Sequence, residues 1–299
     1  MVSPQMRKVG VKELQSAVGL SERQGCRLLS VSRSCARYIP RVKGDEGFIR
    51  NRIWGLAHEY KRYGYRRITE LLQRSGVVIN KKRVHRLWKA EGLSLRHRKA
   101  RKRRYGEKQA ITQKAERANQ VWSYDFMEDR TEGGGVLKIL NIVDEYTREG
   151  LRIRIERRID SAKVIKTLGI LFLVRGIPEY LRSDNGPEFI AKAIKEWLSA
   201  RGCKTLYIEP GSPWENPYIE SFNGKVRDEF LNMNIFGSVK EAQKLAEGWL
   251  REYNEFRPHS SLGYKTPREF ARISGSCAPG CIGPSRSFQS PKTASVVNL

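Results

Sequence analysis

The chain reads as a mixed α/β protein, a five-stranded mixed sheet flanked by helices and preceded by an all-α basic region. Three observations predict this. Up to about residue 95, apolar residues recur at helical spacing behind Ser and Asn caps. From about Gln120 the period changes to strand-like, with three strand patterns in succession and then helices alternating with short strands. The charge is divided at the same place: residues 1–120 hold 31 Lys and Arg against 9 Asp and Glu, a net +22, whereas residues 121–299 hold 26 against 23, a net +3.

The elements follow in order. Residues 11–39 read as two or three short helices. One starts at the Ser21 cap, and a second follows a tight turn at Ser30-Val-Ser-Arg-Ser-Cys-Ala-Arg-Tyr. Such a helix-turn-helix would place Ser32, Arg33 and Arg37 in a major groove. Phe48 to Tyr60 is helical, with Ile49, Ile53, Leu56 and Ala57 on one face. Another helix opens near Tyr63-Gly-Tyr-Arg-Arg and runs to about Arg74. A third starts at Asn80, with Val84, Leu87 and Trp88 inward and Lys81, Lys82, Arg83, Arg86 and Lys89 outward. This is again a helix-turn-helix outline with a basic last helix. Arg66 and Arg67 join Lys81, Lys82, Arg83 and Arg86 as expected DNA contacts.

From Arg96 to Arg104, seven of nine residues are Lys or Arg. A run of like charges repels itself and extends, so it reads as a linker along phosphates, with Arg101, Lys102, Arg103 and Arg104 in contact. Then come strands at Val121–Met127, Val136–Asp144 (after a Gly133-Gly-Gly turn) and Leu151–Glu156, and a helix at Ser161–Val174. A strand at Tyr180–Ser183, a helix at Ile190–Arg201 and a strand at Lys204–Ile208 follow. Helices at about Pro217–Leu231 and Val239–Tyr253 close the pattern. That order is the order of a ribonuclease H-like fold. The expected domains are an N-terminal helical region 1–44, a helix-turn-helix domain 45–95, a basic linker 96–119, a catalytic core 120–274 and a disordered tail 275–299 poor in large apolar residues.

The net +25 over 299 residues points to a polyanion partner. Charge alone does not separate DNA from RNA. Five scattered cysteines make no disulfide framework, so a reducing cytoplasm, close to the nucleoid, is the expected location. No apolar run reaches bilayer length, and no membrane partner is expected.

Three acids carry the chemistry. Asp125 lies mid-strand among Trp122, Tyr124 and Phe126, where a charge is costly unless it is paired or binds metal. Asp184 closes the fourth strand, and the Asn185-Gly186 turn points it out of the sheet. Glu220 stands 36 positions later on a helix, sharing a face with Gly224 and Arg227. Three carboxylates so placed can hold two divalent ions, Mg²⁺ or Mn²⁺, about 3.5–4 Å apart and transfer phosphoryl groups. Gly224 would let DNA approach, and Arg227 and Lys225 would reach phosphates. Arg182, Asn185, Glu188 and Asn216 are the expected supports of the acids. Asp144, at a strand end, is a rival acid of lower rank.

The Asp184–Glu220 spacing, Arg227 beyond it and the phrase Tyr253-Asn-Glu-Phe-Arg-Pro-His-Ser-Ser-Leu-Gly-Tyr-Lys-Thr-Pro-Arg-Glu-Phe270 resemble insertion-sequence transposases of the family numbered three, relatives of retroviral integrases. The resemblance spans roughly residues 45–272. It implies an Asp-Asp-Glu catalytic core with Asp125, Asp184 and Glu220 as the triad and a helix-turn-helix domain before it. His259, within the phrase, is expected to support the site. It further implies double-stranded DNA as partner, both element ends and target, and a multimer that holds two ends together. A second reading-frame product that can be fused by frameshifting to an upstream frame is also implied. The upstream part carries another helix-turn-helix and a leucine zipper. This chain shows no apolar heptads, so it is expected to lack them. Met127 departs from the family's usual Thr, and zinc-ligand spacing is absent. The alternatives are a DNA-binding repressor and a metal-dependent nuclease of the same fold.

Overall fold

The computed structural model describes residues 4–39, 44–94, 114–183, 188–207 and 216–275. The basic run at Arg101–Arg104, the Asp184-Asn185 turn and the tail from residue 276 lie outside the described residues. The chain divides into two compact units, Met1–Arg52 and Ile53–Leu299.

In the first unit, α1 (Pro4–Val18), α2 (Glu22–Leu28) and α3 (Arg33–Arg37) pack around Val11 and Cys26. Ser21 and Gln24 make a reciprocal capping box on α2, and Ser32 caps α3. The long α1 extends to Pro4, well before the helical pattern read from residue 11. Arg33 and Arg37, expected in a major groove, both bond Glu22 through Nε.

A helix, α4 (Glu46–Glu59), crosses the unit boundary. Beyond it, α5 (Tyr65–Arg74) and α6 (Lys81–Ala90) form the second helical block. Asn80 caps α6 by accepting from Lys82 N at 2.8 Å, as its position predicts. Gly76 takes φ +85° in the turn between them, a conformation suited to glycine. Ile68, Leu71, Leu72, Val84, Leu87 and Trp88 are buried. Lys81, Lys82 and Arg86 are exposed on the opposite face.

The core sheet runs β1 (Val121–Arg130), β2 (Val136–Asp144), β3 (Gly150–Glu156), β4 (Tyr180–Ser183) and β5 (Lys204–Tyr207), in spatial order β3-β2-β1-β4-β5. The first three strands are antiparallel and joined by short turns. β4 and β5 are parallel to β1 and return through α7 (Ser161–Arg175) and α8 (Glu188–Ser199), because parallel neighbours need a crossover. This is the mixed five-stranded sheet predicted from the pattern.

Strand periodicity assigns the two faces. Trp122, Tyr124, Leu140 and Ile142 pack with Leu168, Phe172 and Leu198 of α7 and α8. Leu137, Ile139, Val143, Ile153 and Ile155 pack with α9 (Pro217–Lys225) and α10 (Val239–Glu255). Asp125 and Asn141 fall in the second series. The edge strand β3 is closed by side-chain amides of α10. Gln243 bonds Ile155 N and Ile153 O, and Asn254 bonds Gly150 N and O. Those groups would otherwise be open to pairing with another chain.

α8 lies two residues earlier than the Ile190–Arg201 pattern, and two regions nearer the C-terminal end differ further from the sequence reading. The helix read as Pro217–Leu231 is α-helical to Lys225, then widens to a π-helix over Val226–Phe230 and tightens to a 3₁₀ turn at Leu231–Met233. A further helix, α11 (Pro267–Ile273), follows α10, where the pattern placed the last helix at Val239–Tyr253.

Candidate active site

Asp125 lies at the middle of β1, half-buried, directly opposite Asn141 of β2. Directly opposed residues of an antiparallel pair share a face, here the one covered by α9. Asp125 Oδ1 accepts from the backbone N–H of Phe126 at 2.7 Å. Its Oδ2 accepts from Asn223 Nδ2, also at 2.7 Å. Asn223 lies one turn beyond Glu220 on α9, and residues three apart on a helix are neighbours on its surface. The strand acid is therefore bonded to the helix that carries Glu220, through an amide one turn beyond it.

Glu220 is exposed, and partial desolvation still pushes its carboxyl above the ordinary carboxylate value. A nearby cation would reverse that shift. Pro217 at the first turn of α9 fixes the start of this helix, and Asn216 caps it without a side-chain hydrogen bond. Asn216 is buried, and its Oδ1 has no hydrogen-bond partner. Such an atom is satisfied by an ordered water or a ligand.

The end of β4, which precedes Asp184 in the chain, is anchored by a buried ion pair. Arg182 Nε donates to Glu145 Oε1 at 2.8 Å, and both side chains are inaccessible to solvent. Ser123 Oγ donates to the same oxygen. Burial raises the Glu145 carboxyl, and Ser123 and Arg182 oppose that rise. Arg182 thus acts two residues before Asp184, holding the strand that carries it. The rival acid Asp144 is absorbed by structure. Its Oδ1 accepts from Tyr146 N, Thr147 N and Thr147 Oγ1, and its Oδ2 accepts from Asn119 N.

The other expected residues fall in several places. Asp184 and Asn185 lie outside the described residues, and Glu188 opens α8. Arg227 donates to Glu128 O at 2.8 Å and to Asp129 Oδ2 at 3.3 Å, with its side chain still 42% exposed. A Cβ at Gly224 would meet no atom within 4 Å, so internal packing does not demand glycine there. Lys225 turns back to Ser221 O and Oγ, and burial with the charges of Arg257, Arg67 and Arg148 brings its ammonium down to about 8. Arg67 pairs with Glu229 at 3.0 Å, whereas Arg66 is exposed beside the Tyr65 ring. His259 is buried against Arg257 Nη1 at 3.3 Å and edge-on to Tyr253. Met127 packs with the α9–α10 core and accepts from Asn141 Nδ2 at 3.2 Å, which accounts for an apolar residue there.

Asn223 and Asn141 were missed by sequence reasoning. The available signals were an Asn one turn after Glu220 and a single polar residue within Ile139-Leu-Asn-Ile-Val143. Among the described residues no three His, Cys, Asp or Glu side chains converge as a metal site, and no helix is long and apolar enough to cross a membrane.

A strand acid bonded to the helix that carries a second acid, on three antiparallel strands followed by two parallel ones, is the arrangement of an integrase-type core. Residues 115–213 and 201–267 match families described as integrase core domain, and residues 45–101 match an HTH-like domain. The Insertion element IS476 uncharacterized 39.2 kDa protein of Xanthomonas euvesicatoria is 37% identical over 270 residues, covering 90% of this chain and 78% of that protein. The Insertion element IS407 uncharacterized 31.7 kDa protein of Burkholderia multivorans is 38% identical over 258 residues, covering 86% and 93%. Transposase InsD for insertion element IS2A/D/F/H/I/K of Escherichia coli is 28% identical over 244 residues, covering 76% and 79%. The chain belongs to the insertion-element transposases that carry an integrase core.

Proposed function

We propose that this transposase cleaves and joins DNA strands at the ends of its own insertion sequence, with Asp125, Asp184 and Glu220 holding two Mg²⁺ or Mn²⁺ ions. The observation that carries the reading is the 2.7 Å hydrogen bond from Asn223 to Asp125, which ties the strand acid to the helix of Glu220. The donor set suits the group, because hard divalent cations select carboxylate oxygen. Desolvation raises the Glu220 carboxyl, a shift that a bound cation would oppose, and the orphan Oδ1 of Asn216 lies at the start of the same helix. When bound, such a pair of ions supplies an activated oxygen nucleophile and stabilises the leaving oxygen.

The chain's own groups do the positioning. Phe126 N–H and Asn223 hold the two oxygens of Asp125, which fixes the carboxylate plane. Arg182, locked to Glu145, fixes the end of β4, the strand that precedes Asp184 in the chain. Arg227 stands half-exposed beyond the acids, available to a phosphate. The exposed Lys81, Lys82 and Arg86 of α6, in the region that matches an HTH-like domain, are the expected phosphate contacts on double-stranded DNA. Two ends must meet for joining, so the active form is a multimer on DNA. The upstream frame product or its frameshift fusion is the further partner.

The test is a reaction with Mg²⁺ or Mn²⁺, labelled element-end DNA and a target plasmid, comparing wild type with Asp184→Asn. Joined product from wild type alone supports the reading. Joined product from the variant overturns the triad, and nicking without joining replaces the reading with a nuclease.

A further inference from the structure

We propose that Asn141 is a positioning residue for the reaction, acting through Asn223 to fix the orientation of the Asp125 carboxylate. The inference rests on the reading of Asp125 as a metal ligand and concerns a residue two hydrogen bonds removed from its carboxylate.

Asn141 is fully buried in β2, in the series Leu137, Ile139, Val143 that otherwise forms apolar core. An amide in such a place costs stability unless its groups are bonded, and here one is not: Oδ1 has no hydrogen-bond partner. A branched aliphatic residue would fill the position without that cost. Packing therefore does not account for the asparagine.

The hydrogen-bond directions do. A carboxylate only accepts, so Asn223 must present its NH₂ to Asp125 Oδ2, as it does at 2.7 Å. Asn223 Oδ1 is thereby turned away and needs a donor. Asn141 Nδ2 supplies it, also at 2.7 Å, and shares its second hydrogen with Met127 Sδ at 3.2 Å. The order Asn141 to Asn223 to Asp125 is the one polarity that satisfies the carboxylate. Without the donor at 141, Asn223 Oδ1 is left unsatisfied and the amide is held by its bond to Asp125 alone, so the plane of both the amide and the carboxylate is less firmly fixed. Register fixes the whole arrangement, since Asn141 is the β2 residue opposite Asp125.

The test uses the full chain and reads divalent-ion binding directly, by Mn²⁺ calorimetry and by the Mn²⁺-induced rise in melting temperature, alongside strand transfer. The variants are Asn141→Leu, Asn141→Ser, Asn223→Ala, the double variant Asn141→Leu/Asn223→Ala, and Asp125→Asn. Asn141→Leu is expected to fold with an unchanged metal-free melting temperature or a higher one. Its Mn²⁺ affinity is expected to fall about 10-fold or more, the range for outer-layer partners of metal ligands. Asn141→Ser, too short to reach Asn223, should lose the same affinity. In the Asn223→Ala background, Asn141→Leu should cause no further loss, because its route to the metal is already cut. Wild-type Mn²⁺ affinity in both Asn141 variants, or an equal loss with and without Asn223, overturns the proposal. If Asp125→Asn itself leaves Mn²⁺ binding unchanged, the assignment of Asp125 as a ligand fails instead, and the positioning role falls with it.

Discussion

Replacing Arg257 by Met should destabilise the catalytic core by about 3 kcal/mol, toward the low end of the 3–5 kcal/mol typical when one partner of a buried ion pair is removed. Arg257 is 2% exposed, and the Glu229 side chain is 8% exposed. Two charge-assisted bonds join them, Nε to Oε2 and Nη2 to Oε1, each at 2.6 Å. Each such bond contributes on the order of 1.5–3 kcal/mol. Their loss is only partly offset by Arg67, which keeps one bond to Glu229 Oε1 at 3.0 Å. The pair spans the π-helix after α9 and the loop after α10, so the loss should act on the base of the Glu220 helix. Equilibrium urea unfolding followed by tryptophan fluorescence and circular dichroism measures it. The companion variant Arg257→Met/Glu229→Leu should lose less than the sum of the two single changes, because both remove the same buried pair and only the part-exposed Arg67 is then left without its partner. A loss below about 1 kcal/mol in Arg257→Met would refute the reasoning, since the buried carboxylate would then be solvated or otherwise paired.

His259 should make the fold acid-sensitive. Burial, with the charges of Arg257, Lys225 and Arg67, brings its imidazolium down to about 2, whereas the unfolded chain protonates near 6.5. The native state therefore binds fewer protons. The stability is fully present above about pH 6.5 and is lost as pH falls toward 2, by at most about 1.4 kcal/mol per pH unit from this group. His259→Gln should flatten that slope in urea titrations between pH 6.5 and 4, and a slope equal to wild type would contradict the assignment. DNA affinity of the full chain should fall about 10³–10⁵-fold between 50 and 200 mM salt if six to ten phosphates are neutralised. A flat salt dependence would remove the basic N-terminal region, net +22, as the electrostatic contact.

Local chemistry made much of the architecture legible. The Asn80 cap, the Ser21 capping box and the limits of β2 and β4 follow from short-range rules. α11 was also readable, because Thr266 and Glu269 form a capping box around Pro267. Its seven residues are too few to show a helical period. The π-helix at Val226–Phe230 had no such signal. Within it Arg227 bonds a strand 99 residues earlier in the chain, and Glu229 bonds Arg257, 28 residues later. Arg67 read as a DNA contact because its charge is visible in sequence, whereas its partner Glu229 is 162 residues away.

The sequence by itself determined the order of strands and helices and the split between a basic region and a nearly neutral one. Those properties depend on periodicity, capping and composition, which are local along the chain. Only the tertiary structure decided how Asp125 is held. Asn141 faces Asp125 because β1 and β2 pair in one register, and Asn223 reaches that carboxylate because α9 lies across the same face. It also decided which of the basic and acidic residues are taken up inside the fold. Arg182 is locked to Glu145, Asp144 to its own turn and Arg257 to Glu229. Hydrogen-bond partners are set by distance in space, and residues far apart in the chain acquire that distance only when the sheet and its covering helices close around them.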